Sequence, residues 1–282
     1  MTALPGKAQA MILAAGRGER MRPLTDTCPK PLLPVRGKPL IQWPLEALAR
    51  GGFSSVMVNT AWLGERISSA FGDKFTVLPS PNINSLLSNQ KHLPIQVAIS
   101  YSHEGRDFGG ALETAGGIAR ALPQLGDVFW VLAGDVFAPD FVFTQAAVER
   151  FKASGKLAHL WLAPNPEHNL KGDFGLSGDG LAVNLPKDSA RTKYTYSTIG
   201  LYRSALFVPP YCDIAPGNPQ GAKAALAPLL RSPMDQALVS AELYDGPWTD
   251  VGTPERLQWL NQDENRTARA QQPPRKAQGT PL

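Results

Sequence analysis

Short apolar runs alternate with helical patterns through the first half of the chain. The predicted strands lie at residues 10–14, 55–58, 95–101 and 128–132, and the predicted helices at about 40–50, 62–71 and 113–122. Residues 15–38 interrupt the alternation with several prolines, which lack the backbone N–H that a regular helix needs, so this segment is predicted to be an irregular loop. Strands alternating with helices of this length predict a doubly wound, mainly parallel α/β sheet.

The second half has more strand patterns. They lie at residues 158–162, 174–176, 194–202 and 239–244 and are followed by a closing helix at 254–262. We therefore expect a Rossmann-like sheet with a smaller β-rich lobe. The expected division is one domain over residues 1–262, with parts at about 8–155 and 156–262, a surface insertion at 76–94 and a flexible tail at 263–282.

Composition excludes several classes of protein. Hydrophobic residues make up 43% and charged residues 18% of the chain, which is typical of a globular protein rather than a disordered one. The two cysteines, Cys28 and Cys212, have no metal-ligand spacing, so a zinc site is not indicated. The sequence lacks an apolar run of about 18 residues and the apolar core of a signal peptide, so we expect a cytoplasmic protein with no membrane partner.

The distribution of positive charge along the chain indicates a ligand-binding site near the N-terminus. The net charge of +4 is modest, and the cations concentrate between residues 17 and 38 rather than in patches interleaved with aromatic residues. That distribution favours a compact phosphate ligand and argues against a nucleic-acid partner.

The loop at residues 13–38 has the features of a triphosphate site. Gly16 and Gly18 let backbone N–H groups approach phosphate oxygens, and six cations face only two acidic residues. A dinucleotide fingerprint is disfavoured because Met21 stands at the third glycine position. The simpler alternative is a glycine-rich surface turn, against which Arg20 and Lys30 argue.

These motifs resemble the sugar-phosphate nucleotidylyltransferase family, whose signature is an apolar strand, Gly-x-Gly-x-Arg, Pro-Leu-Thr and Pro-Lys-Pro-Leu. The resemblance implies that a nucleoside triphosphate and a sugar 1-phosphate react to give a nucleotide sugar and pyrophosphate. It implies that Arg20 neutralises the β- and γ-phosphates and that Lys30, a loop lysine expected to be exposed, bridges the α-phosphate and the sugar phosphate. The nucleotide-binding residues that it implies are Leu13, Ala14, Ala15, Gly16, Gly18, Glu113 and Thr114, although Thr114 could equally be a helix cap.

Two aspartates are the candidate metal ligands. Asp135 directly follows the predicted strand at 128–132, and Mg²⁺ prefers one or two carboxylates together with phosphates and water. On its own, Gly134-Asp135 is more often a turn. Residues 248–253 resemble the family's Trp-x-Asp-Val-Gly-Thr element, which implies that Asp250 joins Asp135 at the ion.

The sugar site is implied less directly. The resemblance points to Asn59, Gly117, Gly172 and Asp173, with a helix cap as an equal alternative for Asn59. The Glu-Lys-Pro of many glucose and thymidylyl enzymes is missing here. The chain is most similar to the compact members of the family that act on UTP and N-acetylmuramate α-1-phosphate in peptidoglycan recycling. The four histidines, including His168, are expected to be surface or packing residues.

Other interpretations stay open. Mannose or glucose 1-phosphate, with GTP, UTP or dTTP, could replace the expected substrates, and the longer loop at 104–112 leaves base recognition undecided. A non-catalytic nucleotide-sugar sensor is a different class, and a nicotinamide-binding oxidoreductase a third. We expect a monomer or a small homo-oligomer.

Overall fold

The computed structural model describes residues 7–78 and 93–270. Most of the predicted insertion, residues 79–92, and the end of the predicted tail lie outside the described residues. The strands are β1 (Ala8–Ala14), β2 (Pro34–Val35), β3 (Lys38–Pro39), β4 (Ser55–Thr60), β5 (Lys74–Val77), β6 (Ile95–His103), β7 (Leu125–Ala133), β8 (Val136–Phe137), β9 (Ala158–Ala163), β10 (Phe174–Leu176), β11 (Ala182–Val183), β12 (Lys193–Arg203), β13 (Val239–Leu243) and β14 (Thr249–Asp250). The helices are α1 (Leu24–Thr27), α2 (Gln42–Arg50), α3 (Gly64–Phe71), α4 (Glu104–Phe108), α5 (Glu113–Ala121), α6 (Gln145–Ala153), α7 (Leu226–Asp235) and α8 (Pro254–Ala270).

The described strands form a ten-stranded mixed sheet with a parallel centre. Its order is β11-β10-β12-β7-β1-β4-β6-β5, and β9 and β13 join it through β12. Strands β7, β1, β4 and β6 are parallel, so their carboxyl ends share one edge. The predicted doubly wound sheet is confirmed. Strand β12 pairs antiparallel with β7, so the β-rich second half continues this sheet.

Both faces of the central strands are buried. Ala10, Ile12 and Ala14 of β1 pack into one apolar cluster, whereas Ala8 and Met11 pack into the cluster on the other face. Burial on both faces explains why these strands are continuous apolar runs in the sequence.

A third, smaller apolar cluster packs the loop after β1 against β8 and α8. It contains residues from the loop, from β8 and from α8: Met21, Leu33, Val35, Leu40, Phe137, Val251, Leu257 and Leu260. Helix α8 is fastened to the loop because Asn261 accepts from Arg36 N at 2.7 Å and donates to Pro34 O at 3.1 Å.

Three local predictions differ from the structure. Helix α8 continues eight residues past its predicted end at 262, because residues 263–270 contain no proline or glycine to stop it. Helix α3 begins two residues later than predicted, at Gly64. The segment 104–112, predicted to be a loop, begins with a short helix, α4.

Candidate active site

The glycine-containing loop leaves β1 at the carboxyl edge of the sheet. Gly134, at the end of the neighbouring β7, donates its N–H to Leu13 O at 2.8 Å. A Cβ at Gly134 would lie 3.1 Å from this carbonyl oxygen, so the two chain segments approach as closely as glycine permits. Asp135 is thereby placed beside the start of the loop.

The loop is held in shape by its own polar groups. Gly18 has a φ of 68°, a left-handed conformation that favours glycine, and its carbonyl accepts from Thr25 Oγ1 at 2.8 Å. Arg17 donates to Thr25 O and to Asp26 Oδ1, both at 2.9 Å, and its guanidinium stacks on the ring of Trp62. The hydrogen bond from Arg17 lowers the pKa of Asp26.

The cations of the loop differ in whether their charge is already used in contacts within the protein. Arg17 fixes the loop, whereas Arg20 is exposed. Gly16 is exposed as well, and a Cβ there would meet nothing within 4 Å. Ala14 N–H is not free for a ligand, because it donates to Asn59 Oδ1 at 2.8 Å.

Lys30 is buried, which corrects the expectation of an exposed loop lysine. It begins a 3-10 turn over Lys30–Leu32 and is only 9% exposed. Its Nζ lies 2.6 Å from Asp135 Oδ2, and its stem packs near Gly18, where a Cβ would lie 3.4 Å from Lys30 Cβ. The lysine therefore joins the loop to the acidic edge of the sheet.

The structure brings Asp135 and Asp250 together, although 115 residues separate them in the sequence. Strands β14 and β8 pair antiparallel, with Asp250 opposite Val136, and Val251 N–H donates to Asp135 O at 2.9 Å. Trp248 fixes the approach to this pair, since its Nε1 donates to Ser197 O at 3.0 Å.

The donor set fits a hard divalent cation. Lys30 contacts Asp135 through Oδ2, and His168 and Arg256 contact Asp250 through Oδ1, so each carboxylate has a second oxygen to offer. Within residues 7–78 and 93–270, no group of three or more His, Cys, Asp or Glu side chains is arranged to hold a metal ion. Two carboxylates completed by phosphates and water are typical of Mg²⁺ sites.

Asn59 and Gly117 lie behind the loop in a buried network. Asn59 is 2% exposed and donates to Glu104 Oε1 at 2.7 Å, and Glu104 Oε2 accepts from Leu112 N at 2.8 Å. A Cβ at Gly117 would lie 2.5 Å from Glu104 Oε1. Both residues were predicted to contact the sugar, and the contacts that the structure shows for them lie in this buried network.

Burial raises the pKa of Glu104, although its hydrogen bonds from Leu112 and Asn59 act in the opposite direction. The carboxylate is completely buried. It connects the end of β6, the start of α5 and, through Asn59, the end of β1.

The remaining predicted residues lie on two segments near this edge. Glu113 is exposed and has a φ of 58°, a strained conformation for a residue with a side chain. Thr114 lines a cavity of about 260 Å³ together with Leu13, Tyr196, Thr198 and residues of α7.

Polar contacts fix the conformation of the predicted sugar-binding segment, which contains Gly172 and Asp173. Gly172 has a φ of 60°, and a Cβ there would lie 2.8 Å from Lys193 O, so glycine is required. Asp173 Oδ2 accepts from Tyr196 N at 2.8 Å.

Two side chains that contact Asp250 were not predicted from the sequence. Arg256 Nη1 donates to Asp250 Oδ1 and also to the Asp250 carbonyl, and His168 Nε2 lies 3.0 Å from Oδ1. Arg256 lies six residues after the aspartate on α8, so its spacing was a signal. His168 is 82 residues away on a different segment, and nothing local indicated the contact.

A glycine-containing loop, cations and an acidic pair at the carboxyl edge of a parallel sheet are features typical of proteins that bind phosphate-containing ligands. Residues 9–266 match the model of the nucleotidyl transferase family, and the chain belongs to that family. The family and the enzyme class predicted from the sequence are confirmed.

The chain is similar to individual members of the family over most of its length. The chain is 45% identical over 255 residues to the N-acetylmuramate alpha-1-phosphate uridylyltransferase of Neisseria meningitidis serogroup B, a match that covers 88% of this chain and 95% of that protein. It is 31% identical over 257 residues to a UTP–glucose-1-phosphate uridylyltransferase of Synechocystis, covering 86% of this chain and 60% of that one.

A solved structure shares the fold. A Bacillus anthracis protein assigned as a glucose-1-phosphate thymidylyltransferase, crystallised with a sucrose, superposes with a TM-score of 0.67 at 21% identity. The superposition covers 90% of this chain and 94% of the other. Separately, none of the helices in the described part of the chain has the length and apolar character needed to cross a membrane.

Proposed function

We propose that this chain transfers the uridylyl group of UTP to N-acetylmuramate α-1-phosphate and releases pyrophosphate. The observation that carries the proposal is the meeting of Lys30, Asp135 and Asp250 at one sheet edge. It occurs in a chain that is 45% identical to a relative named for this reaction.

The chemistry needs fixed positive charge where two anionic substrates meet. The sugar-phosphate oxygen attacks the α-phosphorus in line with the departing pyrophosphate, and negative charge spreads over the α-phosphate oxygens. Lys30 is suited to this position because burial and its ion pair hold the ammonium in place before the substrates arrive. Arg20, exposed on the same loop, is the candidate partner of the β- and γ-phosphates.

Asp135 and Asp250 are the residues that would hold Mg²⁺. A divalent ion held there would supply positive charge that offsets the negative charge of the phosphates during the transfer. The rest of the proposed site is the exposed backbone around Gly16, the segment at Glu113 and Thr114, and, on the sugar side, Gly172 and Asp173.

The proposed substrates also suggest where the protein works. UTP is made and used in the cytoplasm, and recovery of N-acetylmuramate as a nucleotide sugar is a step of peptidoglycan recycling. Cys28 and Cys212 are both free thiols, as suits a reducing compartment.

A pyrophosphate-release assay tests the proposal. Each of UTP, GTP, dTTP and ATP is combined with N-acetylmuramate, N-acetylglucosamine, glucose and mannose 1-phosphates in the presence of Mg²⁺, and Asp135→Asn serves as the inactive control. We expect the highest kcat/KM for UTP with N-acetylmuramate 1-phosphate. A preference for another pair by tenfold or more would reassign the substrates, and no turnover with any pair would contradict the proposed chemistry.

A further inference from the structure

His168 connects the predicted sugar segment to the acidic pair. Residues Glu167–Asn169 form a 3-10 turn shortly before Gly172 and Asp173. From this turn, His168 Nε2 lies 3.0 Å from Asp250 Oδ1. The two side chains are 33% and 25% exposed, so the contact is partly accessible to solvent.

Arg256 approaches the same carboxylate from α8. Its Nη1 donates to Asp250 Oδ1, and to the Asp250 carbonyl at 2.9 Å. Gly252 leaves room for this arrangement, because a Cβ there would lie 3.2 Å from each of Asp250 Oδ2, Arg256 Nη1 and Arg20 Nη2. One carboxylate oxygen of Asp250 is thus held by two side chains, and Oδ2 is the oxygen left for a divalent ion.

The turn that carries His168 is itself tied to the sugar segment. Asn169 Nδ2 donates to Thr195 Oγ1 at 3.1 Å and lies 3.3 Å from Asp173 Oδ1. Asp173 in turn accepts from the backbone of β12. Hydrogen bonds thus connect Asp173 to Asn169, the residue next to His168.

We propose that His168 is a positioning residue that couples sugar 1-phosphate binding to divalent-ion binding at Asp250. This inference rests on the proposed function. His168 Nε2 also lies 3.4 Å from Arg256 Nη1, so the histidine, the arginine and one oxygen of Asp250 are grouped at one point. A hydrogen bond to a metal-binding carboxylate fixes the orientation of that ligand. Because coupling between two sites is reciprocal, each ligand tightens binding of the other.

Manganese binding measures this coupling directly. Free Mn²⁺ is followed by electron paramagnetic resonance in the presence of a UTP analogue whose α,β-bridging oxygen is replaced by methylene, so that no turnover occurs. The Mn²⁺ Kd is measured with and without N-acetylmuramate 1-phosphate. For the wild-type chain we expect the sugar phosphate to tighten Mn²⁺ binding by about tenfold, within the usual range of coupling between sites.

Variants of His168 separate positioning from mere packing. In His168→Ala the ratio of the two Kd values falls towards one, and the KM for the sugar phosphate no longer depends on metal concentration. His168→Gln retains most of the ratio, because the glutamine amide nitrogen can reach the same oxygen, whereas His168→Asn is too short and behaves like the alanine variant.

The control is His159→Ala, which removes a comparable histidine–carboxylate contact with Glu242 on β9 and β13. It should leave the ratio unchanged. A wild-type ratio in folded His168→Ala or His168→Asn, or a glutamine variant no better than asparagine, would overturn the role of His168. Absence of Mn²⁺ binding and of turnover in the wild-type chain would instead contradict the proposed function.

Discussion

Replacing Lys30 with methionine tests the arrangement at the centre of the site. Methionine keeps the apolar stem that packs near Gly18 and removes the charge that faces Asp135 Oδ2 at 2.6 Å. Exposed ion pairs contribute about 0–1 kcal/mol, and breaking a fully buried one costs about 3–5 kcal/mol. The lysine side chain is 11% exposed and the aspartate 37%, so solvent screens one partner and we expect a loss of about 1–3 kcal/mol in the free energy of unfolding.

A double-mutant cycle isolates this pair from other effects. Lys30→Met, Asp135→Asn and the double variant are unfolded with urea, and tryptophan fluorescence reports the transition. Because Asp135→Asn removes the charge that lost its partner, the double variant should be more stable than the sum of the single changes predicts, by about 1 kcal/mol. Additivity within about 0.5 kcal/mol would show that Lys30 and Asp135 are not coupled, since independent sites behave in this way.

Activity separates the structural role of Lys30 from its catalytic one. We expect Lys30→Met to lower kcat by about 100-fold or more, the size of effect seen when a group that stabilises transition-state charge is removed. Lys38→Met is the matched control, because Lys38 pairs with Glu46 instead of an acidic residue of the site. It should reduce stability with little change in kcat.

Glu104→Gln should lower the free energy of unfolding, measured in urea, by about 1–3 kcal/mol. Asn59 Nδ2 and Leu112 N each donate to a different oxygen of Glu104, and glutamine offers only one oxygen. An unchanged transition midpoint would show that these hydrogen bonds do not stabilise the fold. Because the pKa of Glu104 is raised in the folded chain, the free energy of unfolding depends on pH. The stabilisation from this residue is fully present below the ordinary pKa of a glutamate, and it is lost as the pH rises through the raised folded-state pKa. The wild-type chain should therefore lose stability relative to Glu104→Gln over that interval in a pH series of urea transitions, and parallel curves would contradict the assignment. Thr198 has a φ of 63°, a left-handed conformation that costs a residue with a side chain about 1–2 kcal/mol. Thr198→Gly should therefore match or exceed the wild-type Tm, whereas a lower Tm would mean that the threonine contacts outweigh the strain.

The sequence was most informative where one physical requirement controls many residues. Strands buried on both faces must be apolar throughout, so β1 and β7 were recognisable as continuous runs. Glycines and cations in the loop predicted a phosphate site, and the loop lies at the carboxyl edge of the sheet, where ligands of such folds bind.

Long-range contacts of single polar residues were not predictable in this way. Lys30 looked like an exposed loop residue, and its burial depends on a turn that places it against Asp135. Asn59, at the end of β4, had the position of a ligand-binding residue, but its amide is used by Ala14 and Glu104. His168 lies on a segment with no periodicity, and only the folded chain shows that it reaches Asp250.

The number of divalent ions that Asp135 and Asp250 bind shows whether the two carboxylates share one metal site. Mn²⁺ is titrated into the wild-type chain, Asp135→Asn and Asp250→Asn in the presence of the methylene analogue of UTP, and bound ion is counted by electron paramagnetic resonance. If both carboxylates hold the same ion, each single variant loses the same high-affinity Mn²⁺, with Kd raised by about tenfold or more. Wild-type binding in either variant, or two sites of which each variant loses a different one, would contradict a shared ion.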